Sequence, residues 1–159
     1  MNRQTLLRLA PALLAVVLVA IGVWLLRDTS SRQAAQRAGT EAVAAARESI
    51  AAMGTYRPDT AGKDLPAARD RLTGPFLDAY TQAIQTVVIP NAKQQRISSV
   101  VTVPAAAVVS AQLTRVVVLA FVDQALTVGS EAPTANPARY RVTMESVDGR
   151  WLIADFDQI

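Results

Sequence analysis

The chain has 159 residues, a formal net charge of +3 and neither cysteine nor histidine. This composition excludes disulfides, thiolate and imidazole metal ligands, cysteine nucleophiles and any Ser-His-Asp triad. The basic residues are scattered, without the dense basic stripe and interleaved aromatics that nucleic-acid binding needs, so we expect no nucleic-acid partner.

An apolar run near the N-terminus predicts a membrane-spanning helix. The eighteen residues 9–26 carry no charge, and a helix of that length spans about 27 Å, close to the hydrocarbon thickness of a bilayer. A cleaved signal peptide would have a shorter apolar region and a small-residue cleavage site, whereas this run ends at Trp24 shortly before Arg27. We therefore predict a short tail at 1–8 and a transmembrane helix at 9–27. The predicted anchor residues are Leu9, Leu14, Leu18, Ile21 and Trp24.

The orientation of this helix does not follow from charge. Arg3 and Arg8 precede the span, while Arg27, Arg32 and Arg37 follow it. A tail of eight residues is too short to hold a domain, so the function lies on the C-terminal side.

Residues 28–54 are expected to form a stalk helix that leads into the domain. Its helical part starts near Ser30 and ends at Gly54, with Val43, Ala46 and Ile50 recurring on one face. The outer half consists mainly of alanine and arginine, which offers little apolar surface for a core. A stalk is the role that this composition favours.

Residues 55–159 are predicted to form one α+β domain with helices first and strands second. Residues 55–64 indicate a loop, and a short helix is expected over Leu65–Leu72. A break at Thr73-Gly74-Pro75 precedes a helix whose apolar stripe ends at Pro90. That stripe consists of Phe76, Tyr80, Ile84 and Val87.

After Pro90 the apolar period changes to two, which is typical of strands. The first predicted strand is Ile97–Val103, with a continuation over Ala105–Val109 past a bulge or edge at Pro104. The second is Val116–Val122, a central strand buried on both faces. The last two are residues 139–145 and Trp151–Phe156. A polar loop is expected at Gly129–Ala138, and Asp148-Gly149 predicts a hairpin turn. Helices followed by an antiparallel sheet fit the cone of nuclear-transport-factor-like or SnoaL-like domains.

Few residues offer chemistry. Asp123, at the end of the apolar strand, could be a base with a raised pKa if it faced the cone near Tyr56 or Tyr80. We favour a solvated aspartate instead. Asp155 and Asp157 are interpreted as a solvated strand face in preference to a carboxylate pair. We expect no metal, no cofactor and no catalytic residue.

Other side chains are candidates for a partner or cavity surface. Trp151 is interpreted as a core or interface residue in preference to a ligand platform. Arg139 and Arg141 are either a basic row that faces a partner or an ordinary exposed strand face. With Tyr80 and Asp123, these three residues form the predicted partner or cavity surface.

Three segments, together with the apolar run, resemble the Mce-associated membrane proteins of actinobacteria. They are Leu72-Thr73-Gly74-Pro75-Phe76, followed by Tyr80 and Pro90, then residues 118–124, which read VLAFVDQ, and residues 149–155, which read GRWLIAD. Many members carry Asn where this chain has Asp123. Order and spacing extend over nearly the whole chain.

The resemblance implies a single-pass protein of the cytoplasmic membrane with a cytoplasmic N-terminus and a domain outside it. It also implies a non-catalytic accessory role in an Mce-type lipid or sterol import system, whose partners are Mce proteins and an ABC-type permease. Alternatives are a lipid-binding carrier or sensor that uses the cone cavity, an assembly factor of the type IV secretion kind, and an enzyme of the polyketide-cyclase kind.

Overall fold

The computed structural model describes residues 32–159. The predicted tail, the transmembrane helix and its anchor residues lie outside this range. None of the helices within the described range is long and apolar enough to cross a membrane. The chain divides into two compact units, Met1–Gln36 and Arg37–Ile159. In the first unit residues 32–36 are helical.

Helix α1 is described over residues 32–54, and in the second unit its buried face is made mainly of alanine. Ala38, Ala42, Ala46 and Ile50 recur every fourth residue and are at most 7% exposed. They belong to the main core cluster with the inner face of the sheet. Sequence analysis assigned this stretch to a stalk, but here it forms part of the core, because small side chains let a helix lie close to a sheet.

Three further helices follow. Helix α2 is Ala61–Ala67, continued by a 3-10 turn over Ala68–Arg71, so the predicted loop at 55–64 is shorter and the helix starts earlier than Leu65. Helix α3 is Gly74–Ala83, and Gly74 has a φ of 60°, a conformation that favours glycine. Helix α4 is Ile89–Gln94.

The prediction that Pro90 ends the third helix is wrong. The chain passes from α3 through a π-helical turn at Ile84–Val88 directly into α4, and Pro90 lies in the first turn of α4. Proline donates no N–H to the preceding turn, and the wider π turn directly before it accommodates the proline, so the helix continues. The helical segment ends at Gln94, and Arg96 then adopts a positive φ of 55°.

A four-stranded antiparallel sheet in the order β1-β2-β3-β4 forms the second layer. The strands are Ile97–Ala111, Arg115–Val128, Thr134–Val147 and Arg150–Gln158. The last turn contains Asp148 and Gly149 at φ values of 51° and 77°, as a two-residue type I′ hairpin requires. The predicted α+β class and this hairpin are confirmed, while the predicted loop at 129–138 is shorter because β3 begins at Thr134.

Strand β1 is an edge strand, and its pairing with β2 is irregular between Thr102 and Ala105, on either side of Pro104, as predicted. A second irregularity lies between Val108 and Ser110.

Strand β2 is central but is not buried on both faces. Its inner side chains, Val116, Val118, Ala120 and Val122, are at most 5% exposed. The intervening outer side chains are partly accessible, and Phe121 is 42% exposed. The sheet therefore has one face packed against helices and one outer face.

Aromatic side chains close the inner face near β4. The ring of Phe156 stacks on Tyr140 with a centroid distance of 4.2 Å and lies 5.9 Å from Phe76 of α3. A smaller core cluster of Ala61, Leu65, Ile84 and Ala92 joins α2 to the π turn and α4.

Candidate interaction surface

The structure separates the predicted surface residues into two groups on opposite sides of the sheet. Tyr80 and Trp151 pack against the main core on the helix side. Asp123, Arg139 and Arg141 are exposed and alternate with inward-facing neighbours, so they lie on the outer face. One surface that combines all five residues does not exist in the described part of the chain.

The Tyr80 hydroxyl joins two helices. It donates toward the carbonyl oxygen of Met53 at 3.1 Å and that of Leu65 at 3.2 Å. Burial raises the pKa of Tyr80 to about 12, so the phenol stays neutral at physiological pH. Through these hydrogen bonds Tyr80 connects α1 and α2.

Asp123 does not face the cone. Strand β2 continues past it to Val128, and its neighbour Val122 points into the core. The exposed carboxylate lies opposite Thr102 of β1 and Pro137 of β3 on the outer face. The interpretation of Asp123 as a base inside the cone is therefore wrong, since the two sheet faces separate its carboxylate from Tyr80.

Strand register brings apolar and basic side chains together in rows across the outer face. In one row Phe121 lies between Ala105 of β1 and Arg139 of β3. Six exposed or partly exposed residues of this row and the next form a surface that we call the outer patch: Ala105, Ala107, Leu119, Phe121, Arg139 and Arg141.

In the next row Leu119 lies between Ala107 and Arg141, and Arg141 is opposite Asp157 of β4. These rows place the apolar side chains of the outer patch toward β1 and its guanidinium groups toward β4.

Charges around the outer patch are distributed unevenly. At one end Arg115 and Glu145 form a salt bridge of 2.7 Å. Within the described residues, Arg139 and Arg141 form no salt bridge, so their guanidinium groups are available to an acidic partner. Asp155 accepts a hydrogen bond of 3.0 Å from the backbone N–H of Phe156, which fits the solvated strand face expected for it.

A pocket lies at the open end of the cone, and sequence analysis, which considered a cone cavity, assigned none of the lining residues to that cavity. It has a volume of about 360 Å³ and lies between the end of α1 and the inner face of β1–β4. Its lining includes three carboxamides, Gln124, Asn136 and Gln158, and no charged residue. Gln124 donates to the Ser99 hydroxyl at 3.0 Å. The alternation of inward and outward side chains along the strands could have identified this lining, because all three amides fall on inward positions near strand ends.

Comparison with known proteins places the chain in a family. No protein-family model matches it. The outer membrane protein Rv1973 of Mycobacterium tuberculosis is 48% identical over 151 residues, which cover 95% of this chain and 94% of that protein. The chain belongs to the Rv1973 family. The uncharacterized protein Rv1362c of the same organism is 35% identical over 162 residues, covering 98% of this chain and 74% of that protein.

Solved structures share the fold of this Rv1973-family member. An IcmL-like type IV secretion system protein from Legionella pneumophila has a TM-score of 0.63 at 9% identity, covering 74% of this chain and 88% of that one. A periplasmic fragment of TraM has a TM-score of 0.63 at 15% identity, covering 75% and 95%. The VirB8 protein of Agrobacterium tumefaciens has a TM-score of 0.57 at 15% identity, covering 73% and 88%. At such identities the likeness establishes the helices-then-sheet fold alone.

Proposed function

We propose that this member of the Rv1973 family is a non-catalytic accessory subunit of an Mce-type lipid or sterol import system. It joins Mce proteins and their ABC-type permease through protein contacts of the outer patch. The observation that carries the proposal is the position of Phe121, which is 42% exposed on a central strand of the sheet and flanked by Arg139. The resemblance of three sequence segments to Mce-associated proteins supplies the identity of the system.

The outer patch has the chemistry of a docking surface. Aromatic and arginine side chains dominate the binding energy of protein interfaces, and they act best at the centre of a patch that excludes water. Phe121 offers the aromatic group, and Arg139 and Arg141 offer planar donors for carboxylates. A partner surface with an apolar centre and an acidic margin fits this arrangement.

Anchoring in a membrane completes the proposal. The apolar run at 9–27 is the proposed anchor, with a cytoplasmic N-terminus and the α+β domain on the outer side of the cytoplasmic membrane. The related protein Rv1973 is named an outer membrane protein, which is a different location. Separating the two membranes of the native cell envelope and probing each for the full chain decides between these locations.

The volume of the cone pocket counts against the alternative of a lipid carrier. A volume of about 360 Å³ equals about a dozen water molecules at their liquid volume. A carrier must bury most of its ligand, and a two-chain lipid is much larger than this open pocket. We therefore prefer the accessory role.

A pull-down of the full-length tagged protein from native membranes in mild detergent tests the proposal. The wild type should recover Mce subunits with their permease, and Phe121→Ser should reduce that recovery about tenfold or more, as expected for a central interface residue. Val87→Ser is the matched control, because Val87 is 53% exposed on the helical side of the domain. Absence of Mce subunits from the wild-type sample would refute the Mce role.

A further inference from the structure

Strand β1 has an unusual composition for the edge of a sheet. The eighteen residues 97–114, between Arg96 and Arg115, carry no charge. Edge strands usually carry charged side chains or are covered, because their unpaired N–H and C=O groups can pair with another chain. An uncharged edge that contains exposed valines therefore needs a cover.

The protein covers the first half of this edge itself. The backbone of Ser99 exchanges two hydrogen bonds of 2.9 Å with Tyr56. The N–H of Val101 donates to the Thr55 hydroxyl at 3.0 Å, and the carbonyl of Val103 accepts a hydrogen bond of 2.9 Å from Arg47. These contacts extend from Ser99 to Val103.

The second half of the edge, Ala105–Ala111, is the exposed part. Val108 is 43% and Val109 is 62% exposed, although both belong to the strand. The segment consists of alanine, valine and one serine. Two bulges interrupt its pairing with β2, beside Pro104 and Val109. The segment has none of the charged groups that discourage strand addition.

We infer that Ala105–Ala111 pairs antiparallel with the same segment of a second copy of this chain, so that two four-stranded sheets become one continuous sheet. A two-fold axis at Val108, the midpoint of the segment, sets Ala105 opposite Ala111 and Ala107 opposite Val109. A second copy fits this edge because the segment is free of charge, so self-pairing brings no like charges together, and β-branched residues favour such pairs.

The pairing is short, and its strength follows from its size. Seven residues bury less surface than a standard interface, so the dimer forms reversibly and in a concentration-dependent manner. The outer patches of the two copies become neighbours, since Ala105 and Ala107 belong both to the patch and to the paired segment. This inference does not depend on the identity of the import system.

The absence of cysteine from the chain permits a direct test. In the full-length protein in detergent, Val108→Cys places two thiols opposite each other across the two-fold axis, at a separation compatible with a disulfide. Mild oxidation should convert Val108→Cys to a covalent dimer at least about tenfold faster than Val87→Cys, a control on the helical side at which the wild-type valine is somewhat more exposed. Equal rates for the two variants would overturn the inference.

A lysine on the edge supplies the second comparison. In the Val108→Cys background, Val109→Lys should slow disulfide formation about tenfold, because it sets two lysines on diagonal positions of the pairing, about 7–8 Å apart. Val100→Lys should leave the rate unchanged, since Val100 lies in the half that Thr55 and Tyr56 cover. Equal effects of the two lysines would overturn the strand pairing.

Hydrogen exchange of the unmodified chain avoids any problem with folding of the variants. Among residues 106–111, the amides that do not bond to β2 should become more protected as the protein concentration rises. Protection of these amides that is the same at every dilution would mean that the edge is covered within one copy, and fast exchange of these amides at every dilution would mean that it is not covered. Either result would overturn the inference.

Discussion

The hydroxyl of Tyr80 in α3 lies 3.1 Å from the carbonyl oxygen of Met53 near the end of α1. The same hydroxyl lies 3.2 Å from the carbonyl oxygen of Leu65 in α2. One proton is thus shared between two helices, where the last carbonyl groups of α1 lack partners within their own helix. This contact fixes the end of α1 above the cone pocket, of which Met53 is a lining residue.

Removing this hydroxyl should destabilise the domain. Tyr80→Phe removes the hydroxyl donor from the carbonyl of Met53, whereas the carbonyl of Leu65 still accepts a backbone N–H at the C-terminal end of α2. We expect the free energy of unfolding to fall by about 1–2 kcal/mol. Urea denaturation measures this change. The control is Tyr140→Phe, because it keeps the ring stack on Phe156 and its hydroxyl has no partner among the described residues. An equal loss in both variants would contradict the role of the Tyr80 hydrogen bonds.

Stability should decline at alkaline pH. In the unfolded chain Tyr80 ionises near its ordinary pKa of 10, whereas burial holds its folded pKa at about 12. Between these values the unfolded state has released a proton that the folded state keeps, so rising pH favours unfolding. Burial also raises the pKa of Tyr56, which acts in the same direction.

The contribution of Tyr80 is therefore fully present below pH 10 and is lost as the pH rises to about 12. Melting temperatures measured across this range should fall more steeply for the wild type than for Tyr80→Phe. Parallel slopes would show that the Tyr80 phenol ionises alike in both states.

The close packing of α1 on the sheet can be tested at two neighbouring alanines. Ala46 is fully buried, and Ala46→Leu should cost about 1–3 kcal/mol by overpacking the core. Ala44 is exposed on the same helix, and Ala44→Leu should change stability by no more than about 0.5 kcal/mol. Chemical denaturation distinguishes the two. If both substitutions were neutral, this part of α1 would be a stalk after all.

Two helical glycines offer a matched pair. A Cβ on Gly54 would lie 2.5 Å from Cγ2 of Val101, so Gly54→Ala must push α1 away from β1 and should cost about 1–3 kcal/mol. At Gly62 the nearest atom is Nζ of the flexible Lys93, at 3.6 Å. Gly62→Ala should therefore stabilise the protein by about 0.5–1 kcal/mol through helix propensity. Thermal unfolding should rank Gly62→Ala above the wild type and Gly54→Ala below it, and the reverse order would be inconsistent with this packing.

Local signals were sufficient to predict the order of the elements. The change from helical to alternating apolar period after Pro90 separates the helices from the sheet, and Asp148-Gly149 marks the last hairpin. The passage of the helix through Pro90 was not predictable, since it depends on a π turn whose buried residue, Ile84, packs in the small core cluster. Tertiary packing decides that geometry.

The outer patch was hidden for a different reason. Val117, Leu119 and Phe121 are as apolar as their inward neighbours, so β2 gave the pattern of a strand buried on both faces. An apolar outer row is also what a docking surface requires, and sequence periodicity does not distinguish the two cases. The alignment of Phe121 with Arg139 further depends on the register of β2 against β3, which no local motif encodes.

Site-specific photo-crosslinking in native membranes tests the central claim most directly. A photoreactive side chain at position 121 of the full-length protein should capture Mce subunits or their permease, identified by mass spectrometry. The same group at position 87, on the helical side, should capture none of them. Crosslinks to these subunits from position 87 and not from position 121 would contradict docking through the outer patch. The absence of such crosslinks from both positions would contradict it as well.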